Sequence, residues 1–486
     1  MAKKRVLIVA FDALRPDMVT PELMPNLYQF AANGTYFPEA RSTFPTETRV
    51  NQTALITGCY PERHGIVGNR FQDSKASPGR LFNTGDETQL AAGDERLEGK
   101  LLDVPSLGEI LKQNDLEYAV ISAGTPGGTR ILHHKAENIG GFRLSLVRPD
   151  ATQPKCALDE VFQTCGPIPK ASVPSIDWTQ YATDVYLDYV EPQYTPDVMV
   201  LWYCEPDVSY HQIGIGTPEN LKAIRAVDHE FGRIIERNEK KPVEDRLHIV
   251  TMSDHGMVTL RGKKLDLTSK FEEAGFTVGD TTENGADVAL ALASAGGVYV
   301  RNSDPALIGK VVTWLQRQDW CGPLFTKNHS NTLSQTHIFT NHRRSADISL
   351  ILNSDNARNQ FGIEGTTVHD CSYPEGGGMH GGLHEQEVRT WLAIQGAGIR
   401  SAYRSPIPAA NVDILPTVLH LLGIKIPPHI QGRLLTEALD AFSTNELPEC
   451  IEELHTASGI AGYRSHIILD RLDKHRYLRR AWREKT

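Results

Sequence analysis

Three short apolar runs, Arg5–Phe11, Val198–Tyr203 and His248–Met252, constrain this chain more than any other feature. Each is too short for an ordinary helix and shows no polar alternation, the pattern of a strand buried on both faces. Stretches with helical periodicity lie between them. Met24–Ala32 is closed by Asn33-Gly34, a good helix stop, and Ser106–Gln113 precedes a further strand at Glu117–Ser122. Asp177–Val190 carries Trp178, Tyr181, Val185 and Tyr189 at helical spacing. Thr217-Pro218, a cap followed by proline at the first position, opens a helix to about Asn238. A strand at Trp391–Gln395 and a helix near Val412–Leu422 follow. This alternation predicts an α/β fold with a mostly parallel central sheet flanked by helices.

In such sheets, ligands bind beyond the carboxyl ends of the strands. Strand one runs into Asp12; Val198–Tyr203 is followed by Asp207 and His211; His248–Met252 is followed by Asp254 and His255. Metal-ligand residue types past three strand ends predict a metal site. Singly they are weak: an Asp and a His four apart are ordinarily a surface contact, and a lone Asp is ordinarily a buried cap. Asp254-His255-Gly256 suits a tight, exposed turn.

Residues 265–373 interrupt the alternation. They are rich in Asn, Thr, Ser and Gly, with their own helix (Asp304–Gln316) and strands (Gly297–Arg301 and Asp347–Asn353). They predict an inserted α+β cap domain, leaving 1–264 and 374–486 as the catalytic core. The basic stretch Gly462–Thr486 reads as a solvated C-terminal helix, with a subunit contact, and so a homo-oligomer, left open.

Composition excludes other classes. Apolar content of 40% and charged content of 23% belong to a globular chain. A net charge of -10 argues against a nucleic-acid-binding domain. No stretch approaches the roughly 20 apolar residues of a membrane span. The basic start, Met1-Ala2-Lys3-Lys4-Arg5, leads into an apolar run that ends at Asp12 without a small-residue cleavage site, so the run reads as a strand rather than a leader. Seven cysteines in no metal-type spacing read as reduced thiols, and the sequons at Asn33, Asn51 and Asn328 then read as chance matches. These features together point to the cytoplasm.

Two metals about 3.5–4 Å apart can clamp the attacking and the leaving oxygen of an in-line displacement. Asp12, Asp207, His211, Asp254 and His255 need one more ligand, sought in Gly376-Gly377-Gly378-Met379-His380-Gly381-Gly382-Leu383-His384. His380 is the choice, with His384 as alternative or supporting partner. His133, His134 and His369 have no such context. The nucleophile is sought in Thr43-Phe44-Pro45-Thr46-Glu47-Thr48-Arg49-Val50-Asn51, which leads into a helix ending at Gly58. A threonine there is ordinarily a cap. The same position also offers backbone N–H groups to a phosphate, and a metal would hold Thr48 as an alkoxide.

Read together, these blocks resemble the alkaline phosphatase superfamily. They are most similar to its nucleotide pyrophosphatase/phosphodiesterase and phosphonoacetate hydrolase branch. The matching blocks are Phe11-Asp12-Ala13-Leu14-Arg15-Pro16-Asp17, Pro45 to Asn69, Glu205-Pro206-Asp207 to His211, Ser253-Asp254-His255-Gly256-Met257 and His380-Gly381-Gly382, in the family's order. The resemblance implies that Asp12, Asp254 and His255, with the Thr48 oxygen, hold one metal. Asp207, His211 and His380 hold the other. Asn69 and the Thr48 N–H bind a non-bridging phosphoryl oxygen, and Thr48 forms a covalent phosphothreonine-type intermediate. Two zinc ions are implied, with manganese compatible. Threonine at the nucleophile position departs from the formylglycine precursor of sulfatases and from the serine of phosphoglycerate mutases.

The resemblance implies that the small-molecule substrate is a phosphate or phosphonate ester. Phosphonoacetate hydrolases carry lysines after the strand matching Glu117–Ser122, whereas Ala123-Gly124-Thr125-Pro126-Gly127-Gly128-Thr129 holds no cation before Arg130. That favours a diester or phosphonate monoester, with Arg130 and His384 as candidate substrate-binding residues. The His-Gly-Gly-Leu-His-Glu-Gln stretch favours the alternative, a phosphonoacetate hydrolase or phosphomonoesterase.

Overall fold

The computed structural model describes residues 4–443 and 447–484; Met1 to Lys3 of the basic start and Lys485 and Thr486 of the basic tail lie outside the described residues. Eight strands form the central sheet, in the order Tyr403–Arg404, Thr35–Tyr36, Leu392–Gln395, His248–Met252, Val6–Phe11, Val198–Tyr203, Tyr118–Ser122, Phe142–Ser145. The five strands from His248–Met252 to Phe142–Ser145 run parallel, and Leu392–Gln395 joins them antiparallel.

The unbroken apolar runs have a direct cause. Val6, Ile8 and Ala10 enter one core, while Leu7, Val9 and Phe11 enter the other, so neither face of the strand meets water. Burying each large side chain contributes roughly 1.5–3 kcal/mol. The cap at Thr217 is realised: its hydroxyl accepts the Asn220 N–H at 3.3 Å, and the helix runs Pro218–Glu239. The helix expected over Asp177–Val190 runs Ile176–Asp184 and then widens to π geometry over Val185–Val190.

A second sheet of six strands lies between Val278 and Leu352. Helices Leu267–Glu273 and Pro305–Leu315 cover one of its faces through Phe271, Val311, Val312 and Leu315. Strands Val258–Leu260, Ser354–Arg358, Glu364–Thr367 and Gly378–Met379 form a small sheet of their own.

The basic C-terminal stretch is not a helix. Arg464–Leu472 and His475–Arg483 are strands that form a three-stranded antiparallel sheet with Cys450–Ser458. Its charges are matched across strands: Arg471 and Arg476 each reach Glu453 at 2.8 Å, and Arg479 pairs with Glu452 and Asp470. Ile467, Leu469, Leu478 and Ala481 pack with Phe325 and Ile351 of the six-stranded sheet. This tail therefore builds on that second sheet. Counting only the basic residues concealed the acidic strand that partners them.

Candidate active site

The three ligand-bearing strands are neighbours in the sheet, so the residues that follow them converge. Phe11 pairs with Tyr203 and Ala10 with Met252, which brings the strand ends level. Asp12 follows directly, and its carbonyl accepts the Asp207 N–H at 3.1 Å. Asp207 opens the short helix Asp207–Ile213, and His211 one turn later turns its Nε2 back to Asp207 Oδ1 at 3.2 Å. Asp254 and His255 are fully buried, so the Asp-His-Gly turn is not the exposed one expected. Its glycine answers crowding: a Cβ on Gly256 would stand 2.0 Å from the Gln386 carbonyl oxygen. His380 follows the strand Gly378–Met379, which pairs with Val258–Leu260 and so returns the chain to the site.

His255 is the centre of the cluster. Its Nε2 lies 3.2 Å from Thr48 Oγ1, 3.2 Å from Asp254 Oδ2 and 3.6 Å from Asp12 Oδ1. The His380 ring stacks on it with centroids 3.8 Å apart, and His380 Nε2 lies 3.7 Å from Asp207 Oδ1. In each imidazole Nδ1 faces a main-chain carbonyl: Gly378 for His211 at 2.7 Å, Gly256 for His255 at 2.9 Å and Thr46 for His380 at 2.7 Å. A carbonyl only accepts, so Nδ1 carries the proton and Nε2 is turned inward as the ligand atom.

The electrostatics call for cations. Burial, reinforced by Asp254 and Asp207, pushes the Asp12 carboxyl well up. Burial also raises Asp254 against the pull of His255. Asp207 is buried too, yet its carboxyl is held well below the usual range wherever the His211 imidazole beside it carries a second proton, a place a metal ion would take. Burial and His255 keep His380 neutral, so its Nε2 lone pair faces the Asp207 oxygen. Asp12 Oδ1, Asp207 Oδ1 and Asp254 Oδ2 are buried without a hydrogen-bond donor. Buried acceptors aimed at one another are unfavourable unless a metal ion lies among them. Ligand atoms of Asp207, His211 and His380 lie within 4.8 Å of one another, as do those of Asp12, Asp207 and His255.

Thr48 is the first residue of the helix Thr48–Thr57, which ends at Gly58 in the left-handed conformation (φ 63°). Glu47 precedes it without capping that end; its carboxylate instead takes the Asn69 backbone N–H. Asn69 Oδ1 accepts the Arg49 N–H at 3.4 Å. Among the described residues nothing accepts from the Asn69 amide nitrogen or the Thr48 N–H, so both can donate. Thr48, the six metal-ligand candidates and Asn69 are thus brought together.

Arg130 and His384 are not. Arg130 is held by Glu87 at 2.8 Å and Glu137 at 2.9 Å. His384 caps the helix Glu385–Val388 through the Gln386 N–H, and its Nε2 lies 2.9 Å from Asn356 Oδ1. His133 is buried against Tyr118, His134 lies beside Asp94, and His369 Nε2 lies 3.1 Å from the Gly262 carbonyl oxygen. A surface cavity of about 620 Å³ between Tyr60, Ile430 and His475 contains none of the cluster.

Sequence reasoning missed four neighbours. Trp202 donates to Asp12; Tyr373 stacks on His211 with centroids 4.1 Å apart; Asn411 donates to the Asp254 carbonyl at 2.7 Å; Arg49 stands next to Thr48. Only Arg49 had a signal, since it lies within the nucleophile block.

A family model for type I phosphodiesterase / nucleotide pyrophosphatase matches residues 6–382. The chain belongs to this family. Membership makes it a phosphoric ester hydrolase on an alkaline phosphatase-like fold. It is 23% identical over 465 residues to bis(5'-adenosyl)-triphosphatase enpp4 of Mus musculus, covering 92% of this chain and 84% of the relative. It is 24% identical over 261 residues to venom phosphodiesterase of Macrovipera lebetinus, covering 52% of this chain and 25% of that one. A solved structure of murine ectonucleotide pyrophosphatase / phosphodiesterase 5, an inactive variant in complex with AMP, shares the fold: TM-score 0.62, 16% identity, 90% of this chain and 100% of that chain.

These family members overturn the cytoplasmic placement. Ectonucleotide enzymes and venom phosphodiesterases work outside the cytoplasm. Unpaired thiols did not carry the compartment. Among the described residues no helix is long and apolar enough to cross a membrane. Of the three sequons, Asn51 is buried and bonded to Thr43 and Asn411, while Asn33 and Asn328 are exposed.

Proposed function

We propose that this chain hydrolyses phosphate diesters or phosphonate monoesters of small molecules, with Thr48 as nucleophile and two divalent metals bound. One observation carries the reading: three imidazoles, each fixed by a carbonyl at Nδ1, turn Nε2 toward buried carboxylate oxygens that have no donor. Asp12, Asp254 and His255, with the Thr48 oxygen, would hold one ion, and Asp207, His211 and His380 the other. Mixed nitrogen and carboxylate ligands suit zinc, with manganese compatible. When bound, the pair supplies Lewis acidity at the attacking and leaving oxygens.

The protein's own groups do the rest. Thr48 Oγ1 attacks phosphorus, the bond to the leaving oxygen breaks, and a phosphothreonine or its phosphonate counterpart forms. Water then cleaves that bond, restoring the Thr48 hydroxyl and releasing the phosphoryl or phosphonyl product. The Thr48 N–H and the Asn69 amide donate to a non-bridging oxygen on which charge builds, as an oxyanion hole does. The N-terminus of the helix Thr48–Thr57 adds its dipole there.

The test is Thr48→Ala in zinc-loaded protein on bis-p-nitrophenyl phosphate. Turnover should fall about 10³-fold or more while metal content holds. Wild-type turnover in this variant would remove Thr48 as the nucleophile. Chelation should abolish wild-type turnover and zinc should restore it.

A further inference from the structure

The buried arginines Arg15, Arg143 and Arg344 pair with Asp17, Glu137 and Asp73, and half-buried Arg433 pairs with Glu437. Half-buried Arg49, beside Thr48, has no such pair. Its guanidinium is partly enclosed, with Nε 3.4 Å from the Thr84 hydroxyl and the Gly85 backbone alongside, yet no carboxylate lies within 4.0 Å among the described residues. Glu47, on the same helix end, is turned instead to the Asn69 N–H. The Thr84 hydroxyl beside it donates to the Asn69 carbonyl at 2.8 Å, so the guanidinium lies on the Asn69 side of the helix end.

That charge is not needed to balance the site. Two divalent ions would balance the carboxylates of Asp12, Asp207 and Asp254 together with a Thr48 alkoxide. A cation held beside the nucleophile and left unpaired by the protein is available to a ligand. Its backbone N–H is tied to Asn69 Oδ1, so the residue next to Thr48 is fixed relative to the oxyanion-binding amide.

We infer that Arg49 is a specificity-determining residue that recognises a second anionic oxygen on the substrate, beyond the single charge of a simple diester. It thereby supplies the cation that the loop Ala123–Thr129 lacks. The second charge resides either on the attacked phosphorus itself, as in a phosphate monoester, or on a group beside it, as in phosphonoacetate, so Arg49 extends the same site from the singly charged esters proposed above to the alternative, doubly charged substrates. The inference rests on the phosphoryl-transfer reading above.

The experiment compares wild type, Arg49→Met and Arg49→Lys, each zinc-loaded and matched for metal content. The substrates are bis-p-nitrophenyl phosphate, p-nitrophenyl phosphate and phosphonoacetate. The readout is the ratio of kcat/KM for each doubly charged substrate to that for the diester. Arg49→Met should lower at least one ratio about 10- to 100-fold, the value of a charge-assisted hydrogen bond, and Arg49→Lys should restore much of it. The probe with the larger fall locates the second charge. Ratios unchanged within about twofold in Arg49→Met, no rescue by lysine, or wild type inert on both doubly charged probes would overturn the inference. Thr48→Ala run alongside separates the failures: an active Thr48→Ala sinks the nucleophile, whereas an inactive one with unmoved ratios sinks Arg49 alone.

Discussion

Trp202 donates its indole N–H to Asp12 Oδ2 at 2.9 Å. The two residues sit on neighbouring strands, with Ala10 opposite Trp202. The bond fixes one carboxylate oxygen and leaves Oδ1 pointing into the cluster without a donor. Trp202→Phe keeps an aromatic ring in the core and removes only the donor. Metal affinity or turnover should fall about 10- to 100-fold, as for other partners that orient a ligand. Zinc titration of folded protein checks it; unchanged affinity and rate would make the tryptophan a packing residue only.

Gly256 predicts a different failure. Alanine there would bring Cβ to within 2.0 Å of the Gln386 carbonyl, a fixed main-chain atom, so the backbone must move. His255 is adjacent. A shift of about 1 Å in reacting groups can cost roughly 10²-fold in rate. Gly256→Ala should show that loss with far-ultraviolet circular dichroism unchanged. Full activity would mean that the turn has slack.

Asp228 ties two helices together. Its Oδ1 accepts the Leu27 N–H at 2.8 Å, and its Oδ2 accepts the Asn26 N–H at 3.1 Å and side-chain amide at 2.9 Å. It thus caps the helix Pro25–Asn33 from the helix Pro218–Glu239. Asp228→Ala leaves the Leu27 N–H buried and unmet and removes an acceptor from the part-buried Asn26 donors, which should cost roughly 1–3 kcal/mol. Denaturant unfolding of the metal-free protein measures this, and a loss below about 0.5 kcal/mol would contradict it.

Glu387 gives a pH dependence with a definite sign. Burial pushes its carboxyl up to about 7, although the N–H groups of Gly382 and His384 donate to it at 2.8 and 3.1 Å. The unfolded chain has the ordinary value of 4.5. Between these values the folded protein binds the proton more tightly. Its stabilising contribution is therefore full below about pH 4.5 and lost as pH rises through about 7, amounting to roughly 3 kcal/mol. Glu387→Gln should flatten the change in unfolding midpoint between pH 5 and pH 7. Parallel wild-type and variant profiles would show that Glu387 does not titrate there.

What the sequence determined by itself is local. Val6–Phe11, Val198–Tyr203 and His248–Met252 are strands because an apolar run of that length must bury both faces. Asp12, Asp207, Asp254 and His255 could be picked out because they follow those strands directly, and Thr48 because it opens a helix. What the tertiary structure decided is pairing between distant residues. Placing the three strands side by side turned separate ligand types into one cluster, and crossing that sheet put Trp202 on Asp12. The C-terminal strands required acidic partners from Cys450–Ser458 and an apolar face on the second sheet, neither visible in a count of basic residues. Arg130 and Arg49 make the same point in opposite directions. Both are cations near the motifs singled out in the sequence, but Glu87 and Glu137 take up the first, while among the described residues no carboxylate pairs with the second, beside Thr48. Which charge is neutralised depends on what the fold brings within a few ångströms, because ion pairing falls off over that distance while a sequence records only neighbours along the chain.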